Sequence, residues 1–170
     1  MFCELIKSWE AKAFFMVFLP VVEGVFPVDD VFFDRYSVSS ALFVVGCVFD
    51  KEGGCLFVKN AKRDFGWEFV GGKAEEGEKP VDCLKREVFE EVGLAVLNVR
   101  HVAFVVDHFK APKGSFTLKG FAFYAECKDS VLTLDSKEIK EAGFFKDLPG
   151  KMAWNDGEIF EVAKKFRESL

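Results

Sequence analysis

Two hydrophobic periods run along this chain. Residues 40–50 (SALFVVGCVFD) are continuously apolar, the mark of a strand buried on both faces. KEGG (51–54) has turn chemistry, and CLFVKN (55–60) returns as a second strand, giving a hairpin. A polar loop (61–66) follows, and WEFV (67–70) leads into a Gly-Gly turn. The period then changes to helical. Pro80 suits a first helical position and Gly93 a C-terminal cap, which predicts a helix over 80–92. Lys79 stands where a Ser or Thr cap would serve better, so the start is weakly capped. Residues 94–109 read as one long strand or two short ones, 110–115 as a loop and 116–127 as a strand. Residues 134–150 read as a loop with a strand near GFF. The segment 156–170 is helical by the spacing of Ile159, Val162, Ala163 and Phe166. This order predicts an α/β fold with a mixed sheet covered by helices.

The stretch AKAFFMVFLPVV (11–22) is apolar but too short to span a bilayer, and Pro20 and Glu23 interrupt it. Lys7 and Lys12 stand ahead of its apolar run from Ala13, as in a secretory leader. No small-x-small site follows, however, and Glu4 and Glu10 occupy the region that should be basic. It reads as an extra strand or hairpin. Residues 1–37 are then an apolar extension and a candidate homodimer contact, and 38–170 form the main domain.

Composition narrows the function. The 170 residues suit one domain, and the 22 Phe are mostly core material. The formal charge of −5 argues against a nucleic-acid polymer as partner, but not against a small anion bound through a metal. No membrane partner is expected. Five cysteines without a CxxC pair read as reduced thiols in a cytoplasmic protein. Two histidines, neither at ligand spacing from a cysteine, argue against zinc.

At about 100° per residue, Val81, Leu84, Val88 and Val92 form the apolar arc of the 80–92 helix. Glu87, Glu90 and Glu91 fall beside it, on the seam between core and solvent. Like charges at this spacing repel. A hard divalent cation would offset that repulsion, with the backbone carbonyls of the Gly-Gly loop as further oxygen ligands. The alternative is an ordinary solvated charged face.

The spacing is part of a longer pattern. Gly72, Glu78, Arg86, Glu87, Val88, Glu90, Glu91, Gly93 and Leu94 fill every fixed position of G-x5-E-x7-R-E-U-x-E-E-x-G-U, where U is aliphatic. This is the Nudix box, and the chain resembles a Nudix hydrolase. The resemblance implies an α/β/α sandwich with a mixed β-sheet, and Mg²⁺- or Mn²⁺-dependent cleavage of the pyrophosphate linkage in a nucleoside diphosphate derivative. It also implies metal ligation by Glu87, Glu90, Glu91 and the Gly71 carbonyl, and pairing of Glu78 with Arg86. The general base varies within the family. A box glutamate ranks first, and Glu138 and Glu141 in KEIKEAGFF are later candidates.

WEFVGGK is similar to the WEFPGGK of MutT-type members, which act on nucleoside triphosphates; here Val70 replaces the proline. This favours a (d)NTP cleaved to the monophosphate and pyrophosphate, with Lys73 as a substrate contact. Asn155 in WNDGEIF is a candidate base reader or, alternatively, a helix N-cap. Phe69 and Phe121 are candidates to stack on a base or to pack in the core. Lys110, Lys113 and His108 lie in a loop near enough to contact phosphates or to be solvated. The downstream proline and tyrosine markers of the ADP-ribose and diadenosine-polyphosphate subclasses are out of register or missing. Cleavage of ADP-ribose or a nucleotide sugar remains the alternative, beside a silent nucleotide-binding module.

Overall fold

The computed structural model describes residues 19–37 and 41–170. The apolar stretch over 11–18, and with it most of the expected dimer contact, lies outside the described residues. Strand β1 (Val21–Pro27) comes first, followed by a short helix α1 (Asp30–Tyr36). Asp29 caps α1, its Oδ1 accepting from the Phe32 N–H at 2.7 Å. The sequence reading contained no helix here. Strands β2 (Phe43–Phe49), β3 (Cys55–Asn60) and β4 (Val70–Lys73) follow. Helix α2 spans Pro80–Val92. Its start lacks a side-chain cap, and Gly93 closes it in the left-handed conformation (φ 74°), with its N–H donating to the Phe89 carbonyl. Strand β5 (Val96–Ala111) is one long element, and β6 (Gly114–Cys127) pairs with it through a tight connection at Pro112 and Lys113. The expected loop over 110–115 is therefore mostly strand. Its tip is held by α1: the Lys113 backbone N–H donates to Asp30, its ammonium pairs with Asp34, and Phe33 packs edge-on against Phe116. Strand β7 (Ile139–Phe145) and helix α3 (Asp156–Glu168) complete the chain.

One mixed sheet runs β1-β5-β6-β2-β3-β7, with β4 also paired to β2. β1 lies parallel to β5 and β2 parallel to β6; the other pairs are antiparallel. Both faces of β2 are covered, as its continuous apolar run predicts. Val44 and Val48 face α2, packing with Leu84, Val88 and Val92. Cys47 and Phe49 face α3, with Ile159, Phe160 and Ala163. Gly46 permits α2 to come close, since a Cβ there would stand 2.6 Å from Leu84 Cδ1. Helices on both sheet faces make this the α/β/α sandwich expected. Cys47, Cys55, Cys83 and Cys127 are buried free thiols. Among the described residues no helix is long and apolar enough to cross a membrane.

The sheet's middle is split. β2 pairs with β3 only at Phe49↔Cys55, while its first half pairs with β4 over Phe43↔Lys73 to Gly46↔Val70. A cleft of about 440 Å³ lies at this divergence, bordered by β2, β4, α1, α2, the middle of β5 and the start of α3.

Candidate active site

Helix α2 presents its acidic edge to β4. Gly72 is indispensable to the approach: a Cβ there would stand 2.4 Å from both Cδ and Oε1 of Glu87. Arg86 organises the junction. Its Nε and Nη2 each donate to Glu78 at 2.9 Å, its Nη1 to Glu87 at 2.8 Å and Glu90 at 3.1 Å, and its Nη2 to the Lys73 carbonyl at 3.2 Å. Glu78 also accepts from the Glu75 N–H. The guanidinium holds the Glu78 carboxyl down at about 2. The expected Glu78–Arg86 pair is thus a forked, charge-assisted contact that anchors the loop before α2 to the helix.

The three box glutamates occupy different environments. Glu90 is exposed, at 58% of its side chain. Glu87 is largely covered, and burial pushes its carboxyl up against the opposing pull of Arg86. Glu91 is the most buried. Its carboxyl is pushed up to about 8, first by burial, then by the neighbouring Glu87 and Glu68; a Gly71 backbone hydrogen bond opposes this. Its Oε2 has no hydrogen-bond partner. A buried acidic oxygen without a donor is costly. As the side chains stand, no three His, Cys, Asp or Glu groups among the described residues converge at metal-ligand spacing. Glu87 and Glu90 are instead both hydrogen-bonded to Arg86. The orphaned Glu91 oxygen beside the Gly71–Gly72 backbone nonetheless suits a hard cation, which would supply the missing partner and relieve the crowding of carboxylates.

The remaining expected residues separate clearly. Lys73 borders the cleft, its ammonium 4.6 Å from the Tyr36 ring centre, and burial followed by the nearby Arg35 lowers its pKa. Glu138 borders the cleft and pairs with Lys62. Glu141 pairs with Lys59 at 2.7 Å on the β3–β7 edge and is not among the cleft-lining residues. Phe69 borders the cleft, and its ring is largely buried and stacked on Phe57 at 4.9 Å. Phe121 packs against Phe104 and His101, away from the cleft. Asn155 borders the cleft but does not cap α3 with its side chain. Its Nδ2 instead donates to the Glu23 carbonyl of β1 at 2.9 Å and to Glu158 at 3.3 Å. His108 is held between Glu23 and Thr117.

Several cleft residues were not anticipated. Phe32, Arg35 and Tyr36 come from α1. Glu68 is buried and accepts from Arg63 and from the Trp154 indole, both at 2.9 Å. Asp156 is fully buried, accepts from the Phe69 N–H at 3.3 Å, and has its carboxyl pushed up by that burial. Asp107 lies on β5, 8% exposed, and its Oδ1 has no partner. One signal was available: Val105, Asp107 and Phe109 share a strand face by alternation, which puts an acid in an apolar row.

Known proteins resemble this chain in sequence and in fold. The NAD-capped RNA hydrolase NudC of Salmonella typhi is 30% identical over 119 residues, covering 68% of this chain and 44% of that protein. An 8-oxo-dGTP diphosphatase of Buchnera aphidicola is 46% identical over 39 residues, covering 23% of this chain and 32% of its own length. The chain therefore spans less than half the length of either relative. In structure it resembles a MutT NUDIX hydrolase from Burkholderia pseudomallei with a TM-score of 0.60 at 19% identity, covering 73% of this chain and 95% of that one. That likeness shows the shared fold. The family model described as NUDIX domain matches residues 40–163, most of the sequence, and so this chain belongs to the NUDIX family.

Proposed function

We propose that the protein is a Mg²⁺- or Mn²⁺-dependent hydrolase that opens the pyrophosphate linkage of a nucleoside diphosphate derivative. The favoured reaction takes a (d)NTP to the monophosphate and pyrophosphate. The observation that carries this reading is Glu91, a buried carboxylate with an unpartnered oxygen beside Gly71, at the floor of a cleft large enough for a nucleotide. The Buchnera relative, named for diphosphatase action on 8-oxo-dGTP, agrees with it.

Glu87, Glu90, Glu91 and the Gly71 carbonyl would hold the metal. When bound, the metal lowers the pKa of an attacking water and neutralises charge on the phosphoryl oxygens. To hold a metal, Glu87 and Glu90 would have to leave Arg86, whose two bonds to Glu78 would keep the loop anchored to the helix. Lys73 lies on the cleft wall for a substrate phosphate. A box glutamate accepts the proton from water, with Glu138 next in rank because it borders the cleft and Glu141 behind it. Buried free thiols agree with a reducing, cytoplasmic setting.

The test is turnover of a panel of nucleoside triphosphates, dinucleoside polyphosphates and nucleotide sugars with Mg²⁺, read as released phosphate after coupling. Glu91→Gln is expected to lower turnover at least tenfold with the fold intact. A near-normal rate in that variant would remove Glu91 from the metal site.

A further inference from the structure

Asn155 is a poor reader of a base here, because its amide N–H groups are committed to Glu23 and Glu158. Among the described residues, three buried polar atoms of cleft-lining side chains lack a partner: Glu91 Oε2 beside Gly71, Arg63 Nε, and Asp107 Oδ1, which alone of the three stands on β5. Two-residue alternation along β5 puts it in line with Val105 and Phe109, and all three border the cleft. The side chain is more than nine-tenths buried, and Oδ1 receives no hydrogen bond. Three rings stand around this part of the wall: Phe32 to Phe109 at 5.2 Å, Phe109 to Trp154 at 5.6 Å, and Phe32 to Trp154 at 5.8 Å. This part of the wall thus combines apolar rings with an acid, Asp107, that lacks a donor. A buried polar atom of that kind calls for a ligand that brings the donor with it.

We propose that Asp107 is the base-reading residue of this cleft, accepting hydrogen bonds from two adjacent N–H donors on a purine edge, the ring N1–H and the 2-amino group. An ionised carboxylate only accepts, through two oxygens side by side. A 2-amino-6-oxopurine offers two parallel donors to such a pair. A 6-aminopurine offers one donor beside a ring nitrogen whose lone pair would face the second oxygen. Removing the 2-amino group leaves one acid oxygen unpaired again, which penalises that ligand steeply. The packed rings of Phe32, Phe109 and Trp154 supply an apolar flank for the base without sequence of their own to read. The inference rests on the nucleotide reading of the same cleft and adds the base class and the residue that selects it.

Calorimetric titration with GMP, IMP and AMP, without metal, tests this separately from hydrolysis. The protein should bind GMP at least tenfold more tightly than IMP or AMP. Asp107→Asn should bring GMP and IMP within twofold of each other while the far-ultraviolet dichroism stays unchanged. Equal binding of GMP and IMP by the unaltered protein overturns the proposal, even if the variant does not fold. So does a GMP preference that persists in Asp107→Asn. A protein that binds GMP selectively but hydrolyses no nucleotide would sink the enzymatic reading and leave this one standing.

Discussion

Gly72→Ala should separate activity from stability. The new Cβ would stand 2.4 Å from Glu87 Cδ and Oε1 and 2.7 Å from Oε2. Carbon contacts relax at about 3.5 Å, so the carboxyl must retreat by about 1 Å. The obstacle is the far end of a flexible side chain, and Gly72 is not among the glycines with positive φ. Off-rotamer strain of about 0.5–1.5 kcal/mol would be met by about 0.4–1 kcal/mol gained from a less flexible unfolded chain. Net stability should stay within about 1 kcal/mol of the original, or about 2–4 °C in Tm. Moving a reacting group by about 1 Å, however, costs about 100-fold in rate. Gly71→Ala is the contrast. Its Cβ would meet the Val44 carbonyl oxygen at 2.1 Å and Val45 Cα at 3.0 Å, both backbone atoms fixed by the β2–β4 pairing. That variant should lose about 1–3 kcal/mol or more. Thermal melts and the phosphate-release assay, run side by side, decide the matter. Wild-type kcat/KM in Gly72→Ala, or a melting loss as large as that of Gly71→Ala, would refute the assigned role of the Glu87–Gly72 contact.

Two further outcomes are expected. Glu91 holds its proton up to about pH 8 in the folded protein, against an ordinary value of 4.5. The folded state binds that proton more tightly than the unfolded state, so the associated stability is full below about pH 4.5 and is lost as pH rises towards 8. Glu78, held at about 2, acts the other way, its stabilisation falling only as pH drops below 4.5. Metal-free protein should therefore melt at lower temperature at pH 8 than at pH 5.5, Glu91→Gln should flatten that slope, and added Mg²⁺ should raise Tm more at pH 8 than at pH 6; a flat profile would show that Glu91 is not so perturbed. Leu84→Ala empties a fully buried position between α2 and Gly46, and urea unfolding should show a loss of about 2–5 kcal/mol.

What the sequence made legible was mostly local. Pro80 and Gly93 bound α2 because both act within one turn of themselves. Leu84, Val88 and Val92 share a face because helical period alone puts them there. The forked contact between Arg86 and Glu78 joins residues eight apart, within reach of a single motif. The rest depended on distant partners. Asn155 stands at the N-cap position of its helix, but its side chain is turned to the Glu23 carbonyl, 132 residues away, rather than to the helix N–H groups. Phe69 is claimed by Phe57, and Glu141 by Lys59 across the β3–β7 edge. Helix α1 has seven residues with only Phe32 buried, too short for a period to emerge. Asp107 escaped notice because an acid in a strand is ordinarily taken to face water, whereas here its neighbours Val105 and Phe109 face inward with it.

The segment before residue 40 bears on where this molecule can be cut. It lies ahead of the family match, yet β1 flanks β5 and α1 contributes Phe32, Arg35 and Tyr36 to the mouth of the cleft. A shortened protein starting at residue 40 would keep Glu78, Glu87, Glu90 and Glu91 but open the mouth of the cleft on one side and bare the hydrogen-bonding edge of β5. Its turnover would describe a more permissive and stickier molecule than the full chain, and selectivity measured on it would understate that of the parent.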